Sequence, residues 1–302
     1  MLSLDNGAVS RSVLGFFEAV EAGALSPEVA AAQALLAGGS VEGAIGLIEA
    51  GGALAHEAAR ASVVAALREH RSKCDAMAIF YGEKGLLPAP GLEADTVQAT
   101  ARFFDDALRI SPHASVALHS LGSATLLQRT TDEILAYLIG HKFLGSRKRT
   151  LELGCGSGRM QWATGPYVME AVGADVSGEM IALANRRRKG HNGVRFLHAP
   201  AHRLDALRDG VYDLVFAVDT FPYIVNAGGG IVALTFAEVR RVLRDDGDVV
   251  IFKYSYGGED AKDRDEVSAY ARGVGLEVVA FVSRPFRHWD ASVFHLRRAR
   301  PS

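Results

Sequence analysis

Residues 150–158 read Thr150-Leu-Glu-Leu-Gly-Cys-Gly-Ser-Gly158, a short apolar run that opens into glycines at every second position. A run of this length and composition is a strand. The glycines let the backbone turn sharply at its end and come close to a ligand without Cβ clashes. From Arg159 the pattern becomes helical. Strand, glycine turn and helix together open a parallel sheet whose ligands lie in the crevice at the carboxyl ends of the strands. The spacing is GxGxG. A dinucleotide fingerprint, GxGxxG, asks for glycine where this chain has Arg159, and no glycine-lysine-serine/threonine of a Walker loop follows a glycine-rich turn.

Toward the C-terminus the same grammar repeats, with β-branched runs alternating with helical stretches. Strands are expected near 150–153, 171–175, 193–198, 212–218, 248–253, 276–283 and 292–297, and helices at 159–170, 178–188, 201–208, 231–243 and 264–274. The last two strands are separated only by 284–291, too short for a crossover helix, so they should pair antiparallel. The expected fold class is therefore α/β, a Rossmann-like seven-stranded, mostly parallel sheet with an antiparallel last strand. Gly173-Ala-Asp175-Val-Ser177 ends the second strand. An acid at that place can accept from both hydroxyls of a ribose.

Before Arg149 no strand pattern stands out. Apolar residues recur at three- and four-residue spacing, with Ser26-Pro27-Glu28 and Ser40 as helix starts and Gly85-Leu-Leu-Pro-Ala-Pro-Gly91 as the clearest break. We expect an all-helical N-terminal cap or substrate domain over 1–145 and a cofactor-binding domain over 146–302. The balance of 33 Lys and Arg against 35 Asp and Glu gives a net charge of -2, no broad cationic field for nucleic acid or an anionic membrane. The charge-free run 220–237 contains Pro222, Asn226 and Gly228–Gly230 and is read as a loop and a buried helix start, not as a membrane span. The two cysteines, Cys74 and Cys155, have no metal or disulfide-framework spacing, and no secretory signal is evident, so a cytoplasmic setting is expected.

On these motifs the segment from Thr150 to Arg298 resembles a class I S-adenosylmethionine-dependent methyltransferase of the small-molecule type. Glu152 to Gly158 resembles that family's first motif, 173–177 its second, 212–219 its fourth strand, and 239–251 its following helix, turn and fifth strand. The resemblance implies that Gly154, Gly156 and the neighbouring backbone hold the methionine moiety of S-adenosylmethionine, with Glu152, Cys155, Gly158 and Asp219 also among the cofactor-binding residues. It also implies that Asp175 binds the ribose and Val176 packs on adenine, and that S-adenosylhomocysteine is the product. After the third strand the family usually shows Gly-Asp-Ala, whereas this chain reads His198-Ala-Pro-Ala-His202. Adenine recognition then falls to the backbone of Ala201, to His202, or to apolar contact.

Further candidates follow from position. Asp219 and Tyr223 lie just beyond the fourth strand, where side chains face the crevice, and Tyr256 lies beyond the fifth. His119, before the catalytic half, is a candidate proton acceptor near neutral pH, with Tyr223 orienting the nucleophile; the alternative is Tyr223 in packing and His119 on the surface. His198 and His202 are four apart, but Pro200 breaks any helix between them, and no metal site is expected. The expected function is methyl transfer to an O or N nucleophile of a small-molecule acceptor, with the helical half as substrate pocket or homodimer interface. Two alternatives stay open: non-methyl chemistry on the same cofactor, such as cyclisation or aminocarboxypropyl transfer, and a non-catalytic module that binds S-adenosylmethionine as an effector.

Overall fold

The computed structural model describes residues 15–50, 56–85, 87–89, 91–110, 120–188 and 192–299. The chain divides into two compact units. The sheet unit comprises Leu87–Asp105, Ile134–Pro285 and Ala291–Ser302, and the helical unit comprises Met1–Leu86, Asp106–Glu133 and Phe286–Asp290. The units are interleaved along the chain.

The sheet unit is built on β1 (Arg149–Leu153), β2 (Glu170–Asp175), β3 (Val194–His198), β4 (Tyr212–Val218), β5 (Leu243–Phe252), β6 (Leu276–Val282) and β7 (Val293–Arg298). Their order is β3-β2-β1-β4-β5-β7-β6, with β7 antiparallel to both its neighbours and the pairings among β1 to β5 parallel. The seven strands start and stop within a residue or two of their expected bounds, except that β5 begins at Leu243, where a register shift against β4 lies between Tyr212 and Leu214. Strands covered on both faces read as continuous apolar runs, and β1, β2 and β4 are buried along nearly their whole length. Leu151, Val172, Val215, Phe236, Ile251 and Phe294 belong to one core. The order reverses beside β1, whose neighbours are β2 and β4, which sets the ligand crevice at the carboxyl ends of these strands.

Several helices are shared by both units or depart from expectation. In chain order they are α1 (Pro27–Gly38), α2 (Val41–Ala50), α3 (Glu57–Glu69), α4 (Arg71–Lys84), α5 (Glu93–Ile110), α6 (Ala124–Gly140), α7 (Arg159–Thr164), α8 (Gly178–Arg187), α9 (Phe221–Ala227), α10 (Gly229–Val242) and α11 (Asp260–Gly273). The unit division falls inside α5, after Asp105, and inside α6, after Glu133. α7 stops well short of 170, because Pro166 follows and the chain tightens into a 3₁₀ turn over Gly165–Tyr167. No helix forms over 201–208. There the guanidinium of Arg241 donates to the carbonyls of Leu204 and Leu207 and to Asp209, while Glu238 accepts from the Leu204 N–H. The loop's polar groups are thus met by α10 instead of by helical bonds of their own. Conversely, 221–227, read as loop, is helical with Pro222 in its first turn.

In the helical unit, Ser40 caps α2 through a 2.9 Å bond from the Gly43 N–H, and Pro27 starts α1, which ends at Gly39 in the left-handed region. Its core gathers Leu35, Ile48, Val63, Leu67, Met77 and Leu126. The turn between β6 and β7 is part of this unit. His288 offers both its backbone N–H (3.0 Å) and its ring Nδ1 (2.7 Å) to Glu133, Thr130 donates to the His288 carbonyl, and Phe286 and Trp289 are buried with their rings stacked.

One charged cluster sits within the sheet. Asp248 of β5 is buried and accepts from His295 Nε2 at 2.8 Å and Arg297 Nε at 2.7 Å on β7. Although burial raises its pKa, the bonds from His295 and Arg297 outweigh that and hold its carboxyl below the usual range. A depressed carboxylate contributes stability that is present above its unfolded pKa and lost as pH falls through the folded one. Asp248→Asn should cost about 1–3 kcal/mol by urea unfolding at pH 7, and the deficit should shrink as the pH is taken below about 4.

Candidate functional site

The floor of the crevice is the loop from β1 into α7. Gly154, Gly156 and Gly158 have φ of 68°, 51° and 83°, the left-handed region that favours glycine. Two of these glycines are required by the protein's own packing. A Cβ on Gly154 would lie 2.2 Å from the Thr220 hydroxyl oxygen, and one on Gly158 would lie 2.5 Å from the Phe196 ring. Thr220 in turn donates to the Leu153 carbonyl at 2.9 Å, holding the start of α9 against the loop.

Asp175, at the end of β2, is buried. One carboxylate oxygen accepts from the Gly156 N–H at 2.7 Å and the other from the Ser177 N–H at 2.8 Å. Burial pushes its pKa up, opposed by those two bonds. The Ser177 hydroxyl accepts from the Met180 N–H as the N-cap of α8, and lies 2.5 Å from the Asp105 carboxylate of α5. The start of α5 and the residues ahead of it have two more ties within this unit. Glu93 accepts from the Gly230 N–H at 2.8 Å, and ahead of the helix the Pro88 carbonyl accepts from Asn226.

Across the loop from Asp175 lies a second set of charges. Glu152 is buried and accepts from Gln161 Nε2 at 2.7 Å. Burial raises its pKa to about 8, against the Gln161 bond and the charge of Arg159. Arg159 is pulled below the usual arginine range by burial and held up by Glu152 and Asp219. Asp219, at the end of β4, has a left-handed backbone (φ 56°) and accepts from the Tyr256 hydroxyl at 3.1 Å. Lys253, at the end of β5, is also left-handed (φ 65°), and its ammonium lies 5.5 Å from the Tyr256 ring centroid. Non-glycine residues in this region carry roughly 1–2 kcal/mol of strain, here concentrated where both strands open into the crevice.

The structure therefore brings together Glu152, Gly154, Cys155, Gly156, Gly158, Asp175, Val176 and Asp219, all at the carboxyl ends of β1, β2 and β4. Within that set Cys155 is a buried thiol with its pKa pushed up by burial, an inert packing group, and Val176 offers its carbonyl to His198 Nε2 at 3.0 Å. Ala201 and His202 lie in the turn after β3, half-buried, with His202 pulled down by burial first and by Arg203 next. The ring of Tyr223 is 4.8 Å from that of Phe104 and 6.0 Å from that of Tyr256. His119 lies outside the described residues. Residues that sequence reasoning missed are Asp105, Phe103, Phe104, Thr220 and Lys253; the first three sit on a helix far upstream in sequence, with no local signal to connect them to the crevice.

The raised pKa of Glu152 has a sign that can be checked. Its protonated form suits the folded state, so the stability it contributes is full below its ordinary 4.5 and is lost as pH rises toward about 8. In Glu152→Gln the amide still accepts from Gln161 and can donate to Gln161 Oε1, a buried oxygen with no hydrogen-bond partner. The variant should match wild type near pH 4.5 and exceed it by more than about 1 kcal/mol at pH 8.5, measured by urea unfolding at both values.

Residues 151–251 match a family model described as a methyltransferase domain. Among curated proteins, a probable S-adenosylmethionine-dependent methyltransferase of Saccharomyces cerevisiae, CRG1, is 27% identical over 113 residues, covering 36% of this chain and 37% of its own. An uncharacterized methyltransferase of Bacillus subtilis, YcgJ, is 32% identical over 117 residues, covering 37% of this chain and 42% of its own. The chain thus spans about two fifths of the length of the curated relatives it matches. Among solved structures, magnesium protoporphyrin IX methyltransferase (ChlM) of Synechocystis PCC 6803 with bound S-adenosylmethionine aligns with a TM-score of 0.49 at 16% identity, over 68% of this chain and 97% of that one. Residues 151–251, about a third of the chain, thus match a methyltransferase domain, and the curated relatives that share this segment are described as methyltransferases.

Proposed function

We propose that the chain is a cytoplasmic enzyme that transfers the methyl group of S-adenosylmethionine to an oxygen or nitrogen nucleophile of a small metabolite. The observation that carries this reading is Asp175. Each of its oxygens accepts one backbone N–H. A carboxylate offers about four lone-pair sites, so acceptor capacity remains for a ribose diol. Burial drives its pKa up, the sign of an anion short of donors, and two hydroxyls would supply them. The residues fit the cofactor's ribose in this respect.

When bound, S-adenosylmethionine supplies a methyl group on a sulfonium that is already a good leaving group. The protein's own work is then positioning. Asp175 holds the ribose. The backbone of the glycine loop, with Glu152 and Asp219 on its flank, receives the amino-acid end. Tyr223 orients the nucleophile, and His119 takes its proton where the acceptor is too weak an acid to lose it unaided. Ala201 and His202 meet the adenine in place of the acid that Pro200 replaces. No single helix among the described residues is long and apolar enough to cross a membrane.

Calorimetry should show saturable binding of S-adenosylhomocysteine and no response to NAD; the reverse pattern removes the proposal. Asp175→Ala should weaken S-adenosylhomocysteine about ten- to a hundredfold, the scale of lost charge-assisted hydrogen bonds. In wild type the affinity should fall as the pH is lowered through the raised pKa of Asp175, because the protonated acid accepts less well, and this dependence should vanish in the variant.

For the acceptor side, Tyr223→Phe and His119→Ala should each lower turnover roughly ten- to a thousandfold with little change in S-adenosylhomocysteine affinity. Wild-type turnover in both would remove these two residues from the mechanism.

A further inference from the structure

We propose that the acceptor seat is shaped for a planar, hydroxylated aromatic ring that is neutral or anionic, with Phe104, Tyr223 and Tyr256 as its walls and Lys253 as the residue that turns cations away. The inference rests on the methyl-transfer reading for where the acceptor lies, and goes beyond it in naming the acceptor's class.

The rings come from three separate stretches of the sheet unit, α5, α9 and the segment after β5, yet they form one series. Centroids are 5.4 Å apart for Phe103 and Phe104, 4.8 Å for Phe104 and Tyr223, and 6.0 Å for Tyr223 and Tyr256, with interplanar angles of 89°, 63° and 86°. Phe103 is buried and anchors the series, while Phe104, Tyr223 and Tyr256 are half-buried. The series ends at the Tyr256 hydroxyl, which donates to Asp219 at the mouth of β4. A flat π-ligand continues such an edge-to-face run, and each good aromatic pair adds about two- to tenfold in affinity beyond the area it covers. A saturated polyol would instead turn its hydroxyls toward ring carbons that cannot answer them.

Charge then selects among aromatic ligands. The Lys253 ammonium lies 5.5 Å from the Tyr256 centroid, the place a ligand cation would take over that ring. Arg159 interacts electrostatically with Asp219, and Asp219 also accepts from Tyr256, so that carboxylate is already engaged by the protein's own groups. An aliphatic or aromatic ammonium would enter beside two cations, whereas a phenol or an aromatic carboxylate would meet complementary charge.

The test is calorimetric titration of the full chain, with and without saturating S-adenosylhomocysteine, using three probes. These are 6-hydroxy-2-naphthoate (flat, hydroxylated, anionic), 4-hydroxycyclohexanecarboxylate (saturated, anionic) and tyramine (aromatic, cationic). The naphthoate should bind at least about tenfold more tightly than either of the others. Phe104→Leu should weaken it about tenfold, with S-adenosylhomocysteine affinity unchanged. Lys253→Gln should weaken the naphthoate and strengthen tyramine, a reversal that mere loss of packing cannot produce. No binding of the naphthoate, equal binding of the saturated ring or the amine, or an unchanged preference in Lys253→Gln would overturn the proposal. If S-adenosylhomocysteine fails to bind while the naphthoate keeps its preference, the methyl-transfer reading falls and the aromatic seat stands.

Discussion

The buried carboxylate of Asp175 is the tie on which the crevice depends. It joins backbone nineteen residues upstream, at Gly156, to backbone two residues downstream, at Ser177. Ser177 then caps α8 and meets Asp105. One short chain of hydrogen bonds thereby strings together the glycine loop, the end of β2, the start of a helix and α5 at Asp105. Desolvating a carboxylate is costly, and the bonds to two backbone donors are what make the burial tolerable. An aliphatic residue there would spare the desolvation but leave two buried N–H groups without a partner.

The parallel sheet was legible because strands covered on both faces are largely apolar, and a run such as Leu214 to Val218 has the length of a strand. The pairing of a glycine loop with an acid one strand later was legible for a related reason: both features are local in sequence and are made adjacent by the topology alone. The loop over 201–208 was misread as a helix because Leu204 and Leu207 are buried at helical spacing. What decides that segment is Arg241, more than thirty residues downstream, which takes the carbonyls that a helix would otherwise have satisfied internally. A side chain that far away leaves no trace in the local pattern.

The same limit applied to the site. Asp175 and Asp219 were found because they end strands. Asp105, Phe103 and Phe104 were not, because their role depends on where α5 runs, and periodicity reports only that a helix has an apolar face. The glycines teach a subtler lesson. Gly154 and Gly158 do permit a close approach, but what approaches is the side chains of Thr220 and Phe196. At these two positions the motif glycines let the protein's own elements close on the loop.

The segment Phe286–Asp290 has a consequence for how the chain is made. It belongs to the helical unit, where Phe286 and Trp289 are buried and His288 is bonded to Glu133, yet it lies near the end of the sequence. On a ribosome the helices up to Glu133 emerge early, at about 5–20 residues per second, and must wait for more than 150 further residues before their last pieces arrive. Closing so long a loop also slows folding after release. The N-terminal helices, rich in small apolar residues such as Ala30, Ala31, Ala32 and Ala34, therefore spend that interval without the bonds this segment makes to Ser26, Thr130 and Glu133. Removing Phe286–Asp290 would take away the contacts that this segment gives the helical unit.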